Sequence, residues 1–433
     1  MSANHSAEVL ETRALLTLFV VDAPTDDAND LAGVADGQLS LREAIFASNT
    51  NAVFGDAAAG SPDGDVIVFA NALSGMTISV SQGQFTIGDD IQINGSGLNA
   101  PLTLDSGGLS RLFLIETSAS AGAVSAVTLA GLTLANGDTS GSVGDDGGAI
   151  SISNDEQVTL TSVTIRDNTA DGRGGAIFNG TGTLTIRNGT VIEGNTAAGA
   201  AADDGGGGIF NNGGTLVIDG SAGFVSISNN VATGASGSGG GIFSTAGSVT
   251  ISDTTIDFNS ANRAGGGIEI VTGTMLLNNV NLIGNDANGT AGTANPGNGG
   301  GLHVSGIANV TIDSGSVFGN AAAREGGGLW NQAGATLTIR NGTLIQSNDA
   351  LGAAADDGGG GIFNNGGILK IDGTLAAVEI ASNRATGLLG SGGGIFNLTG
   401  GVVTINDTTI HDNEAKRRGG GLKKQRMSAE SPD

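Results

Sequence analysis

The stretch GAAADDGGGGIFNNGG occurs twice in this chain, at 199–214 and at 352–367, so the second copy begins 153 positions after the first. Around these copies a glycine-rich step followed by an aliphatic residue recurs in ten units spaced 26 to 34 residues apart. The spacings repeat after five units, which indicates a duplicated block of about 153 residues. The aligned aliphatic residues are Ile150, Ile177, Ile209, Ile242, Ile268, Leu302, Leu329, Ile362, Ile395 and Leu422.

Each unit also contains a stretch in which apolar and polar residues alternate, such as TLTIRN at 183–188 and VVTIND at 402–407. This period predicts strands with Leu184 and Ile186, or Val403 and Ile405, on one face. No unit has a helical run long enough to join parallel strands. Strands of four to six residues with tight corners therefore predict an all-β solenoid of parallel sheets with about ten coils.

The third apolar stretch of each unit ends with an asparagine three places after an aliphatic residue. Asparagine tolerates left-handed backbone and bonds its neighbours, so stacked copies are expected to form a structural side-chain ladder. The members are Asn168, Asn195, Asn230, Asn259, Asn285, Asn320, Asn348, Asn383 and Asn413.

The composition excludes several classes of protein. The 433 residues include 78 glycines without a collagen period, and no cysteine, so disulfides and thiolate metal sites are excluded. A net charge of −25 disfavours nucleic acid and favours cations. No segment approaches the roughly 20 apolar residues of a membrane-spanning helix, and ALLTLFVV at 14–21 lacks the basic leader of a signal peptide. No transmembrane insertion is expected.

Residues 1–75 do not follow the repeat and are predicted to form an amino-terminal cap. LTLFVVD at 16–22 and DVIVFA at 65–70 are predicted strands, and 23–38 is predicted to be an acidic loop. SLREAIFASN at 40–49 is a predicted helix, because Ser40 and Glu43 form a capping box and Leu41, Ala44, Ile45 and Ser48 share one face. The β-helix is assigned to 76–422, and 423–433 to a basic divergent tail.

LSLREAI at 39–45, followed by a polar loop and DVIVF, resembles the CSLREA domain of bacterial secreted β-helix proteins, with Leu39 in place of the cysteine. The coils, with GGAIF at 174–178 and the repeated asparagine, resemble polymorphic outer membrane protein repeats of adhesins and autotransporter passengers. The resemblance implies a right-handed parallel β-helix located outside the cell or on a bacterial cell surface. It specifies the fold rather than the function.

Two sets of residues are candidate binding sites. Paired aspartates before the corners could bind calcium through carboxylate oxygens, although Asp-Asp-Gly is also common turn chemistry: Asp145, Asp146, Asp203, Asp204, Asp356 and Asp357. The residue after the aligned aliphatic is often aromatic and is expected to face outward as a ligand-stacking stripe, a stability ladder, or rings covered by loops: Phe178, Phe210, Phe243, Trp330, Phe363 and Phe396. Glu269 and His303 interrupt this stripe.

Catalysis has little support in the sequence, because His5, His303 and His411 lie in different units. The first hypothesis is a secreted or surface structural and adhesive protein that binds polysaccharide or a surface protein. The second is a polysaccharide lyase or glycoside hydrolase, for which Arg166, Arg187 and Arg340 are the expected basic partners. The third is an autotransporter passenger fragment.

Overall fold

The computed structural model describes residues 16–116, 125–140, 145–201, 203–289 and 297–424. They form a parallel β-solenoid of about ten coils, as predicted. Each regular coil contributes an entry, a middle and an exit strand to one wound sheet, and a two-residue corner strand to a second sheet.

The entry strands begin at the aligned aliphatic position. They are Phe85–Ile87, Phe113–Ile115, Ile150–Ile152, Ile177–Asn179, Ile268–Ile270, Leu302–Val304, Leu329–Gln332, Ile362–Asn365, Ile395–Asn397 and Leu422–Lys424; Ile209–Asp219 and Ile242–Ser252 continue into the middle position. Every step between the ten aligned residues pairs them in the predicted register, from Ile150 opposite Ile177 to Ile395 opposite Leu422.

The remaining strands complete each coil. Middle strands are Thr17–Val21, Asp65–Phe69, Ile91–Asn94, Ala126–Ala130, Gln157–Thr161, Thr183–Arg187, Thr336–Arg340, Ile368–Asp372 and Val402–Asn406; Thr274–Ile283 and Asn309–Phe318 span middle and exit positions. Exit strands are Thr77–Ser79, Leu102–Asp105, Leu132–Ala135, Thr164–Arg166, Val191–Glu193, Val225–Ser228, Thr254–Asp257, Leu344–Gln346, Val378–Ala381 and Thr408–His411. Corner strands are Thr169–Ala170, Thr196–Ala197, Val231–Ala232, Ser260–Ala261, Asp286–Ala287, Ala321–Ala322, Asp349–Ala350, Arg384–Ala385 and Glu414–Ala415.

The core is a set of stacked aliphatic columns inside the coils. Leu184 and Ile186 are fully buried while Thr183 and Thr185, which alternate with them, are partly exposed, which confirms the predicted alternation. Burying each such side chain contributes ~1.5–3 kcal/mol. Val403 and Ile405 of the last described coil are only half-buried, because no described residue stacks beyond them.

The predicted strand length of four to six residues holds for the separate middle strands, but most entry strands have three residues and the corner strands have two. Four other strands are longer than predicted. Ile209–Asp219 and Ile242–Ser252 have 11 residues, and Thr274–Ile283 and Asn309–Phe318 have 10. In these coils, pairing with the neighbouring coil continues on both sides of a corner, so one strand bends through the turn without ending. Gly213 and Gly315 supply positive φ angles at two of these bends.

The amino-terminal segment closes one end of the core. The predicted helix is present as Leu41–Thr50, with the reciprocal Ser40 and Glu43 capping box. Its Leu41, Ala44 and Ile45 are buried in the same cluster as the coil residues. The strands Thr17–Val21 and Asp65–Phe69 pair with each other and continue the middle column of the sheet.

The prediction of a loop at 23–38 is incomplete, because Ala28–Ala32 is a short helix. Asp27 caps it by accepting hydrogen bonds from the backbone N–H groups of Asn29 and Asp30, and the Asp30 carboxylate bonds the Asp27 N–H in return. A 3₁₀ turn covers Asn71–Leu73. No helix among the described residues has both the length and the apolar character needed to cross a membrane.

The nine predicted ladder asparagines form one continuous column beside the corner strands. Each side-chain amide donates to the Oδ1 of the asparagine in the next coil over 2.8–3.0 Å, from Asn168 through to Asn413. That Oδ1 also accepts the backbone N–H of the preceding asparagine, and each Nδ2 bonds a carbonyl of the previous coil, as Asn285 does to Ile256. Eight of the nine are buried, so the ladder satisfies polar groups that no water reaches.

A second, shorter ladder in each block was not predicted, although the recurring IFN tripeptide is its signal. Asn179 donates to the Oδ1 of Asn211 over 2.7 Å, and Asn331 donates to that of Asn364 over 2.7 Å. In both ladders the coil before the first asparagine carries an aliphatic residue at the paired position. The Oδ1 atoms of Asn179 and Asn331 therefore accept no hydrogen bond from any described residue. The members are Asn179, Asn211 and Ser244, and Asn331, Asn364 and Asn397.

Candidate functional site

The residues that follow the aligned aliphatic positions stack coil upon coil, and we call this set the outer column. Their register places Glu269 and His303 between two runs of rings. The two runs share the same ring geometry. The ring centroids of Phe210 and Phe243 are 5.1 Å apart with an interplanar angle of 75°, and those of Phe363 and Phe396 are 5.1 Å apart with an angle of 79°. In order, the outer column is Phe178, Phe210, Phe243, Glu269, His303, Trp330, Phe363 and Phe396.

Of the alternatives for these rings, the exposed stripe is wrong for five of the six aromatic members, and a covered ladder fits them. Phe210, Phe243, Phe363 and Phe396 are at most 1 % exposed, and Trp330 is 4 % exposed. Only Phe178 is partly accessible, and Arg173 lies over its ring at 4.9 Å. At the glycine corners the backbone packs closely against the outer column. At Gly239, for example, an added Cβ would lie 2.8 Å from the Cβ of Phe243. The rings therefore pack as a covered ladder and present no open face for ligand stacking.

Glu269 is a fully buried carboxylate at the interruption. Its Oε1 lies 2.8 Å from Nη2 of Arg263 and 3.4 Å from Nδ1 of His303. Nε of Arg263 also donates to the Oγ of Ser238 over 2.8 Å, which fixes the guanidinium in place. Burial opposes ionisation of Glu269, but the charge of Arg263 and the interaction with His303 outweigh it and lower the carboxyl pKa to about 2. Glu269 is therefore an anion held behind His303.

His303 connects this ion pair to the second aromatic run. Its ring stacks on Trp330 with centroids 4.3 Å apart and planes at 22°. The opposite neighbour of Trp330 is Phe363, at 6.4 Å and 3°. The indole Nε1 donates to Oε2 of Glu325 over 3.0 Å. Both faces and the polar edge of the indole are thus occupied by protein groups.

A polar groove of about 500 Å³ opens beside the interruption. It is lined by side chains between Arg263 and Leu398, among them Asn298, His303, Glu325 and Trp330. Asn298 is 3 % exposed, and no donor among the described residues reaches its Oδ1. Burying an amide oxygen without a partner is costly, so a hydrogen-bond donor that reached this atom would be favourable.

Glu325 differs from Glu269 in protonation. Desolvation by burial raises its pKa to about 7, against the hydrogen bond from Trp330 and the charge of Arg324, which lower it. The groove therefore holds one carboxyl that is partly protonated near neutral pH and, behind it, one that is ionised.

Replacing Glu325 with glutamine should change how stability depends on pH. A raised carboxyl pKa stabilises the fold fully below the unfolded value near 4.5, and this contribution is lost as pH rises through about 7. Because one pKa unit corresponds to ~1.4 kcal/mol, the Glu325→Gln variant should gain about 3 kcal/mol relative to wild type between pH 4.5 and 7.5. Glutamine can still accept the Trp330 hydrogen bond.

Urea unfolding across this pH range measures that difference. Glu414→Gln, at an exposed glutamate, is the matched control and should leave the wild-type profile unchanged. Parallel profiles for Glu325→Gln and wild type would contradict a raised pKa at Glu325.

The paired aspartates serve local structure in the described coils. Asp146 bonds both Nε and Nη2 of Arg173, at 3.1 and 2.6 Å. Asp204 accepts the backbone N–H of Ala201, and Asp357 accepts that of Ala354. Asp357 also lies 3.1 Å from Arg324. Among the described residues, no group of three metal-ligating side chains is assembled. Calcium binding by Asp145, Asp203, Asp356 and their partners stays a prediction.

The basic residues at the groove are not those expected from the sequence. Arg166 pairs with Asp167, Arg340 pairs with Asp313, and Arg187 approaches the hydroxyl of Thr161 at 3.4 Å, all away from the groove. Arg263 and Arg324 line it instead. Each lies five positions before an aligned aliphatic residue, so the alignment of the repeats could have identified both arginines.

Of the histidines, only His303 lies in the groove. The expectation that it is isolated is wrong, because the parallel register stacks it directly on Glu269, 34 positions earlier. His411 is an exposed residue beside Asp412, and His5 lies outside the described residues.

Comparisons with protein-family models, with curated proteins and with solved structures find no match for this chain.

Proposed function

We propose that this protein is a secreted or cell-surface structural β-helix that adheres to a polysaccharide or a surface protein without catalysis. The observation that carries the proposal is the unbroken register of the entry strands across both blocks, including the junction at Ile268 and Leu302. Duplicating a five-coil block adds length and surface while the ladders keep every coil in step. The resemblance of LSLREAI and of the repeats to bacterial secreted β-helix proteins supports the location.

Retention on immobilised polysaccharides, combined with an assay for new reducing ends, tests this proposal. The purified protein is exposed to a panel of neutral and acidic polymers, with calcium and with chelator. We expect retention on at least one polymer and no increase in reducing ends. Loss of retention in chelator would show that adhesion depends on a divalent cation. A protein that neither binds nor cuts any member of the panel would contradict adhesion to polysaccharide.

A polysaccharide hydrolase is the second candidate, favoured by one observation. A general acid for glycosidic bonds needs a carboxyl with a raised pKa, and burial raises the pKa of Glu325 to about 7 in a groove that Asp356 also lines. Release of reducing ends by wild type, abolished in both Glu325→Gln and Asp356→Asn, would replace the adhesive proposal with this one.

A further inference from the structure

We propose that the groove binds a segment of a neutral, hydroxyl-rich polysaccharide along the axis of the solenoid. This inference deepens the proposed adhesive function and rests on it. It assigns the ligand class and the binding residues.

The groove has the shape expected for a linear polymer. Its lining residues come from five consecutive coils, from Arg263 before Ile268 to Leu398 after Ile395. Since neighbouring strands lie ~4.8 Å apart, four steps correspond to about 19 Å along the axis. A single small molecule would fill only part of that length, whereas an extended chain laid parallel to the axis meets one set of side chains in each coil.

Neutral hydrogen-bonding groups line this path. Asn298, Ser305, Gln332 and Asn365 contribute amides and a hydroxyl from three different coils. The Oδ1 of Asn298 has no donor among the residues that the structure describes, and the hydroxyl groups of a sugar both donate and accept. Apolar lining is limited, so a ligand held by hydrophobic side chains fits poorly.

The charges at the groove balance within the protein, which selects a neutral ligand. Arg263 is paired with Glu269, and Arg324 with Asp357. Asp356 is attracted to Lys423 of the last coil. Glu325 is partly protonated near neutral pH. An acidic polymer would meet guanidinium groups that are already paired, and a net charge of −25 on the whole chain repels it further.

The interruption of the outer column is what creates the groove. The neighbouring coils place Phe243 and Trp330 at this position, and both rings are buried. Two phenylalanines at 269 and 303 would continue the ring ladder and remove the His303 wall of the groove. The Glu269→Phe/His303→Phe double variant therefore separates the site from the scaffold.

The duplicated sequence supplies a matched pair of single variants. Asn365 and Asn212 occupy the same place in the two copies of GAAADDGGGGIFNNGG, but only Asn365 lines the groove. Asn365→Ala should weaken binding, whereas Asn212→Ala should not.

Affinity electrophoresis through gels containing galactomannan, mixed-linkage β-glucan or polygalacturonate tests the proposal. We expect retardation by a neutral polymer at least about tenfold stronger than by polygalacturonate. The double variant should lose about tenfold or more, Asn365→Ala about threefold or more, and Asn212→Ala nothing. Circular dichroism confirms that each variant is folded.

Each failure has a distinct meaning. Equal retardation of wild type and a folded double variant would overturn the groove assignment and leave adhesion intact. Preference for polygalacturonate would overturn the neutral ligand class. Absence of retardation in every gel would overturn both the groove assignment and adhesion to polysaccharide.

Discussion

Replacing Glu269 with alanine is expected to lower the free energy of unfolding by about 4 kcal/mol. Removing one partner of a buried ion pair typically costs ~3–5 kcal/mol, because the other charge stays desolvated. Here Arg263 would keep only its bond to Ser238, and His303 would lose the anion beside it. Urea unfolding measures the loss, and the fluorescence of Trp330, the only tryptophan, reports it at the site because His303 stacks on that ring.

The Glu269→Phe/His303→Phe variant should lose less, about 2 kcal/mol, because the added rings bury apolar area in the column and offset part of the ~3–5 kcal/mol that an unpaired Arg263 costs. A guanidinium can lie against rings at this place, since Arg173 lies 4.9 and 5.0 Å from the rings of Phe178 and Phe210, although Arg173 is also paired with Asp146. A double variant as unstable as Glu269→Ala would contradict the view that the column tolerates rings at this position.

The Asn285→Ala variant should lose about 3 kcal/mol. The side chain of Asn285 makes four hydrogen bonds, accepting two from Asn259 and donating to Ile256 and Asn320. Each contributes ~1 kcal/mol, and the buried groups left unpaired add to the cost. The control is Asn288→Ala, because Asn288 is exposed and makes one side-chain bond, to Ser260, so its change should stay within about 0.5 kcal/mol.

The urea midpoints of both asparagine variants, read from far-UV circular dichroism, check this prediction. Similar midpoints would mean that the ladder contributes no more than a surface amide does.

Elements that depend on a short stretch of sequence could be predicted. Contacts that depend on how one coil packs against the next could not. The helix Leu41–Thr50 was predicted because its cap and its buried face lie within ten residues. The asparagine ladder was predicted because one spacing repeats in every unit. The short helix Ala28–Ala32 was missed, because it rests on two aspartate caps and has almost no apolar face.

The outer column shows the same limit. Its stacking follows from the repeat, but its burial depends on how closely each glycine corner packs against the ring, which no single unit reveals. Predicting the groove would also have required the register between the coils. Arg263, Glu269 and His303 come from two coils, and Glu325 comes from a third, so their proximity appears only when the register is known. The sign of the groove in the sequence was the presence of Glu269 and His303 among the aromatic residues of the outer column.

Hydrogen exchange of the wild-type protein, with and without the retained neutral polysaccharide, tests the central claim most directly. The two copies of GAAADDGGGGIFNNGG have the same intrinsic exchange chemistry, but only 352–367 borders the groove. Peptides that extend into the unique flanks distinguish them by mass. We predict that the polymer slows exchange in 352–367 and in Leu302–Val304 while 199–214 is unchanged. Equal slowing of both copies, or of neither, would contradict a binding site at the interruption of the outer column.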